Sequence, residues 1–345
     1  MQIQNDFLIK DEVYYKIGGV VKHFIICTSK EEIVEALEFI QKNNIQKVFI
    51  LGLGTNLIFT DEYFDGVVLQ ITTNNSYYSS EEQSDESRSF DKNSSRLRSN
   101  NNLLIDSDGL VESFAGVVLD DLIKFSFVHN LVGHEWAGGL PGTVGAAVRG
   151  NVGAFGGEIK DSIKKADVVD FSDGNPVLKT FSNQELNFVY RGSLVKENKK
   201  MIVVSAYFKL ENANSEQVEM ARKVYEKNIQ FRKDRHPLEY PNCGSVFKNI
   251  RDLKKVEKVL SIYPELRESV EKKWYGKVAV ASIIEKLGLK GFQIGGAQVS
   301  EKHALFIVNK GKAKSSDVLQ IIETIQQKFR QVFGFNLETE IEIVN

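Results

Sequence analysis

Cysteine is almost missing: Cys27 and Cys243 are the only two in 345 residues. So small a set builds no disulfide framework, and two reduced, buried thiols in a reducing compartment are the plain reading. Histidine is scarce as well, with five residues, and none has a zinc-ligand spacing. His134-Glu135 lacks the HExxH continuation, so no metal is expected. Charge of one sign is not in excess either. Lys and Arg total 44 against 46 Asp and Glu, a formal net charge of -2. That excludes the clustered basic surplus of a general nucleic-acid binder. No uncharged apolar stretch reaches the length of a membrane span, so no membrane insertion is expected. The opening MQIQNDFLIKDEVYY has neither the basic nor the apolar region of a secretory signal. These absences point to a cytoplasmic globular protein, 42% hydrophobic and 26% charged. It is long enough for two or three domains.

Glycine is what the chain has in one place. Nine of the 26 glycines fall between Gly133 and Gly157, in GHEWAGGLPGTVGAAVRGNVGAFGG. A glycine in ordered backbone costs roughly 0.5–1 kcal/mol against alanine, so the cluster needs a cause. Positive φ, or backbone lying closer to a ligand than a Cβ allows, is the usual one. A flexible linker is the alternative, but Trp136, Leu140, Val144, Val148 and Phe155 are interleaved here and belong in a packed core.

Around this run the chain alternates strands and helices. His23–Cys27 reads as a strand. Ser29 with Glu32 forms a capping box ahead of Ile33, Ala36, Leu37 and Ile40 at helical spacing. Val48–Leu51 is a buried strand entering Gly52-Leu53-Gly54-Thr55-Asn56. Residues 73–103, dominated by Ser, Asn and charge, have too little apolar surface to offset their ordering entropy and read as a disordered polar insertion. Beyond it, Val111–Val117 predicts a strand and Asp120–His129 a helix. Ala166–Phe171 and Val177–Phe181 flank the turn Asp173-Gly174-Asn175, and Ile202–Leu210 is a further strand. Ser215 begins an amphipathic helix through Val218, Ala221, Tyr225 and Ile229 that bridges to a last domain. There the pattern predicts a Ser282–Leu287 helix, an Ala304–Val308 strand, a long helix ended by Gly334, and a final strand over Leu337–Ile343.

Gly52-x-Gly54 after a strand invites a dinucleotide-fold reading, but Leu57 occupies the third glycine's place. The next residues, Leu57–Thr60, read as a strand where that fold needs a helix. A strand–GxGTN–strand loop can still hold phosphates on consecutive N–H groups, and taken alone it also fits an ordinary turn. Several motifs in one order carry more weight. GLGTN, GGLPGTVGAA with GNVGAFGG, Tyr190-Arg191-Gly192-Ser193, Asn242–Asn249 (NCGSVFKN), the block KLGLKGFQIGGAQVSEKHALFIVN and Leu337-Glu338-Thr339-Glu340 together resemble the UDP-N-acetylenolpyruvoylglucosamine reductase family. The likeness runs from about Lys16 to Ile343, with only the polar insertion outside it.

The resemblance implies an α+β protein: a two-subdomain FAD-binding fold of the vanillyl-alcohol-oxidase type plus a C-terminal α+β substrate-binding domain. The corresponding spans are 1–72, 104–212 and 213–345, with the last strand, about 337–345, returning to the active site. It implies noncovalent FAD held by Gly52, Leu53, Gly54, Thr55 and Asn56, and by Gly138, Pro141, Gly142, Thr143, Gly145, Ala146, Ala147, Asn151 and Gly153. NADPH would be the hydride donor and UDP-N-acetylglucosamine enolpyruvate the substrate, in peptidoglycan precursor synthesis. Flavin N5 would deliver hydride to C3 of the ether and an acid would protonate C2. Ser245 stands at the family's proton-donor position, though without the motif it would read as a turn serine. Arg191 would meet the enolate and carboxylate charge, and Glu340 would lie beside the enol system. Their ordinary alternatives are a surface ion pair and a solvated strand carboxylate. Lys248, Asn249, Tyr190 and Arg235 stand where substrate contacts are made.

Arg149-Gly150-Asn151-Val152, Ile250 and His236-Pro237 depart from the family's usual residues without removing a catalytic group. No extra lid loop is evident between Arg191 and Met201, which indicates the branch lacking it. The alternatives are another FAD oxidase or dehydrogenase of the same fold and a non-catalytic FAD-binding paralogue. A monomer or weak oligomer is expected.

Overall fold

Local signals set most element ends. Ser29 accepts the N–H of Glu32 and opens the helix Lys30–Lys42, whose buried face is Ile33, Ala36, Leu37 and Ile40. The reciprocal half of the capping box is displaced by one residue. The Glu32 carboxylate takes the N–H and hydroxyl of Thr28, at 2.6 and 2.9 Å, in place of the Ser29 N–H.

The computed structural model describes residues 1–73, 102–106 and 109–345. The expected insertion therefore lies, over 74–101, outside the described residues. Its expected end needs correction: Leu103 is 5% exposed and starts the strand Leu103–Ile105.

The described chain packs as two compact units. The first holds Met1–Asp6, Lys22–Leu53 and Asp65–Arg232; the second holds Phe7–Val21, Gly54–Phe64 and Lys233–Asn345. In the first, Val48–Leu51 runs parallel to Phe64–Ile71, with Val48 opposite Val67. They belong to a four-stranded sheet with Gln2–Leu8 and Val20–Cys27. A five-stranded antiparallel sheet follows in the spatial order Val177–Ser182, Ile163–Asp170, Met201–Lys209, Leu110–Phe114, Leu103–Ile105. The hairpin turn is where expected, with Gly174 at φ 94°. The predicted Val111–Val117 strand stops at Phe114, because a Cβ on Gly116 would lie 2.5 Å from the Thr72 carbonyl oxygen and the chain turns there.

The helix Ser215–Arg235 is the expected one, but it does not separate the units at residue 213. Val218, Ala221 and Tyr225 sit in the core of the first unit, so the division falls at Arg232. The expected subdomains 1–72 and 104–212 likewise share that one core. Gly54–Phe64 goes to the second unit because Leu57–Phe59 pairs in parallel with Glu342–Val344.

The second unit has a three-stranded antiparallel sheet, Gln293–Ile294, Ala297–Val299 and Ile307–Asn309. Beside it lies the helix Ser315–Phe333, with Val318, Ile321, Ile322, Ile325, Phe329 and Phe333 buried. Each such side chain contributes roughly 1.5–3 kcal/mol by leaving water, so this stripe holds the helix in place. Gly334 ends it in the left-handed region at φ 69°. Two more elements shift against expectation. The helix near Ser282 spans Val280–Lys286, and the strand after Ala304 begins at Ile307. The predicted final strand Leu337–Ile343 is split: only Glu342–Val344 is a regular strand, and Thr339 bridges to Phe247.

Candidate active site

The two glycine loops of the first unit meet at Gly52. An added Cβ there would stand 2.7 Å from Thr143 Oγ1, so only glycine lets the strand end pass. Thr143 caps the short helix Val144–Gly150. The first amides of that helix are already engaged: Val144 with Val117 O, Gly145 with Ala115 O, Ala146 with Thr143 Oγ1 and Ala147 with Thr143 O. Among the described residues, the N–H groups of Leu53, Gly139 and Gly142 donate to no protein acceptor. Leu53 and Gly142 each lie one residue from the meeting point, a pair of donors suited to an anion.

Much of the glycine run answers to the protein itself. A Cβ on Gly138 would lie 2.5 Å from Tyr225 O, on Gly145 2.8 Å from Ala115 Cβ, and on Gly157 2.4 Å from the Trp136 ring. Close packing of the chain on itself therefore explains these glycines.

Arg191 is held by a built turn. Val189 and Gly192 exchange backbone hydrogen bonds at 3.0 and 3.1 Å, with Arg191 between them at φ 59°. A non-glycine residue in that region is strained, and the surroundings must hold it there. Ser193 Oγ donates to Arg149 O at 2.7 Å, and Lys196 Nζ donates to Arg191 O at 2.8 Å. Asn151, itself at φ 40°, donates from Nδ2 to Val189 O at 3.0 Å and to Glu158 Oε2 at 2.9 Å. Its Oδ1 accepts from Lys160 N–H at 3.1 Å. The Asn151 side chain, expected among the flavin contacts, is thus a clamp between protein segments. The Arg191 guanidinium donates from Nη1 to Gly153 O at 2.9 Å and lies 5.3 Å from the Tyr190 ring centre.

Sequence reasoning passed over Arg232. It is 9% exposed, its Nε donates to Gly138 O at 2.9 Å, and its guanidinium lies 5.3 Å from the Phe155 ring centre. Burial, then the charge of Arg191, pulls its pKa down to about 10. The signal was available: position 232 continues the buried stripe Val218, Ala221, Tyr225 and Asn228, where a cation is out of pattern. Arg235, the residue named from the sequence, is exposed at the helix end.

In the second unit, Ser245 follows Gly244, which takes φ 78° with its N–H on Asn242 Oδ1 at 2.9 Å. Val246 N–H donates to Leu305 O at 2.9 Å, and Glu340 N–H donates to Val246 O at 2.8 Å. Lys248 N–H reaches Glu338 O at 3.0 Å. Three backbone segments thus converge on Val246, and Ser245 and Glu340 adjoin the same junction, both half-buried. Asn56, from the GLGTN loop, donates to Glu340 O at 3.3 Å, and its own carbonyl accepts from Glu342 N–H at 3.1 Å. Gly54, at φ 65°, would carry a Cβ 2.8 Å from Val13 Cα. Lys248 pairs with Glu338 at 3.3 Å, and Asn249 Oδ1 accepts the Val280 N–H that begins a helix. Cys243 is fully buried, and burial pushes its thiol up to about 12, which leaves it no nucleophilic role beside Ser245.

Comparison with known proteins decides what these parts belong to. Residues 236–344 match the family described as UDP-N-acetylenolpyruvoylglucosamine reductase, C-terminal domain, and residues 95–178 match an FAD binding domain. The UDP-N-acetylenolpyruvoylglucosamine reductase of Caldanaerobacter subterraneus subsp. tengcongensis is 34% identical over 336 residues, covering 97% of this chain and 91% of that protein. The chain belongs to this reductase family. The homologue from Thermosipho melanesiensis is 35% identical, covering 99% of this chain and 97% of its own. The crystal structure of the Thermus caldophilus UDP-N-acetylenolpyruvylglucosamine reductase shares the fold, with a TM-score of 0.69 at 24% identity and full coverage of both chains.

Membership makes the protein an FAD-dependent oxidoreductase, with the expected α+β fold: an FAD-binding domain and the family's C-terminal domain. The first unit fits the cofactor: amides at Leu53, Gly139 and Gly142 can meet phosphate. Among the described residues no helix is long and apolar enough to cross a membrane.

Proposed function

We propose that the protein reduces UDP-N-acetylglucosamine enolpyruvate to UDP-N-acetylmuramate in the cytoplasm, as a step of peptidoglycan precursor synthesis. FAD, when bound, would supply the hydride for C3 of the enolpyruvyl ether, with NADPH as its source. The rest falls to side chains. Hydride arrival at C3 leaves an electron pair on C2, spread into the adjoining carboxylate. A permanently charged, planar guanidinium suits that developing charge, and Arg191, fixed by its turn and by Gly153 O, takes this role. A proton must then reach C2. Ser245 Oγ donates it, and Glu340 is assigned to the enol ether. Tyr190, Arg235, Lys248 and Asn249 are assigned to the sugar and diphosphate.

One observation carries the reading: the Val246 junction, where the Glu340 N–H bond brings the Ser245 and Glu340 segments together. A hydroxyl and a carboxyl carried on adjoining segments suit proton delivery to a carbanion, whereas oxidation of an alcohol needs a base. Ser245→Ala tests it in two half-reactions. Flavin reduction by NADPH should stay within about 2-fold of the parent, while reoxidation by the enolpyruvyl ether slows by roughly 10²–10⁴-fold, the usual worth of a positioned acid. Equal losses in both halves would remove Ser245 from the proton step.

A further inference from the structure

We propose that Arg232 is a second carboxylate-binding residue, its Nη2 joining Arg191 in holding the carboxylate of the enolpyruvyl ether. The inference rests on the reaction proposed above and names a residue that the reading did not include.

The argument begins with a cation in a core position. The helix Ser215–Arg235 buries Val218, Ala221, Tyr225, Asn228 and Arg232 along one stripe. A guanidinium there loses its water and must be repaid by partners, or the position would be apolar. Arg232 is only partly repaid. Its Nε is taken by Gly138 O, and the guanidinium stacks near Phe155. A Cβ on Gly139 would lie 3.1 Å from Arg232 Cδ, so the stem is packed as well. Its Nη2 is buried and has no hydrogen-bond partner, and among the described residues no carboxylate makes an ion pair with it. The side chain is thus fixed at its stem and Nε, with the buried Nη2 uncommitted.

The second guanidinium makes this costlier. Arg191 Nη1 is bound to Gly153 O, two residues from the Phe155 ring against which Arg232 lies. A buried and a half-buried cation facing one short segment repel, and the depressed pKa of Arg232 has Arg191 as its second cause. An oxyanion reached by both would offset the repulsion and satisfy Nη2 through a charge-assisted hydrogen bond. A carboxylate and a diphosphate share that chemistry. Arg191 is the residue assigned to the carboxylate, so the carboxylate is the end of the substrate that Arg232 meets.

The test compares two ligands on oxidised holoenzyme without NADPH, read as perturbation of the flavin absorbance. UDP-N-acetylglucosamine enolpyruvate carries diphosphate and carboxylate; UDP-N-acetylglucosamine carries the diphosphate alone. In Arg232→Met, affinity for the enolpyruvyl ether should fall roughly 10–100-fold, the worth of one charge-assisted bond. Affinity for UDP-N-acetylglucosamine should stay within about 2-fold, and Arg232→Lys should recover part of the loss. Equal weakening of both ligands, or of neither, overturns the proposal. Should Arg232→Met lose FAD on purification, the Arg232→Lys holoenzyme decides: an unchanged ratio of the two affinities overturns the role. A parent enzyme that binds both ligands alike overturns the reaction and this proposal together, whereas parental discrimination that survives in the variants overturns this proposal alone.

Discussion

The loops around Arg191 and the segment around Ser245 are built in opposite ways. In the first unit, side chains hold backbone: Asn151 grips Val189 O, Ser193 grips Arg149 O, and Arg191 and Arg232 each grip a glycine carbonyl. In the loops around Arg191, four residues, Asn151, Phe155, Asn187 and Arg191, sit at positive φ without being glycine. In the second unit the junction itself is backbone on backbone, Val246 accepting from Glu340 and donating to Leu305, with Asn242 and Asn56 adding side-chain bonds at its flanks, and the Ser245 side chain has no part in the scaffold. A cation that must stay fixed while buried needs a strained, heavily braced frame. A hydroxyl that has to give up a proton is better left unbraced. The contrast predicts where substitutions cost stability and where they cost only function.

The largest loss of stability should come from Asn151. Replacing it with alanine leaves the Glu158 carboxylate, Val189 O and the Lys160 N–H without this partner, and puts a Cβ-bearing residue with no amide at φ 40°. A destabilisation of roughly 3–5 kcal/mol is expected from the lost buried bonds and the left-handed backbone. Urea unfolding of the holoenzyme measures it. A change under about 1 kcal/mol would mean that the frame around Arg191 is not braced through Asn151.

How far all this could be read from the residues follows the same line. Signals confined to a few neighbours were legible: the Asp173-Gly174-Asn175 hairpin, the Ser29 cap, the Gly334 stop and the apolar stripe of Ser315–Phe333. Pairings between distant residues were not. Nothing near Leu57–Phe59 says that it will lie beside Glu342–Val344, so its membership of the second unit and the broken strand after Leu337 went unforeseen. The family motifs named Arg191, Ser245 and Glu340, since they stand inside short recognisable blocks. Arg232 stands in none. Only its place on a buried helical stripe marks it, and a lone arginine in such a stripe is easily taken for the exposed helix end three residues later.

A smaller effect separates the units by pH. His134 is fully buried in the first unit, with Nε2 2.7 Å from Ser162 Oγ and its ring edge-on to Trp136 and Phe208. Burial lowers its pKa from 6.5 to about 4. The folded state keeps the ring neutral, whereas the unfolded chain takes up a proton below 6.5. The neutral ring's contribution is therefore fully present above pH 6.5 and is lost as pH falls toward 4, up to roughly 3 kcal/mol in all. Unfolding free energy measured from pH 7 to pH 4 should fall more steeply in the parent than in His134→Gln, which keeps a group able to reach Ser162. Parallel slopes would assign the acid sensitivity to other groups.

The least effect on stability should come from Lys248, and that is its use in the comparison. Its ion pair with Glu338 spans 3.3 Å, with the two side chains 29% and 61% exposed. Such pairs are worth at most about 1 kcal/mol, because water screens the charges and both side chains lose freedom. Lys248→Met should therefore shift the melting temperature by no more than about 2 °C. The same weakness leaves the ammonium able to exchange Glu338 for a ligand phosphate, so KM for the enolpyruvyl ether should rise by about 10-fold with kcat changed far less. A large melting shift with KM unmoved would reverse the assignment: Lys248 would then brace the second unit as Asn151 braces the first, and the contrast between the two regions would fail at that residue.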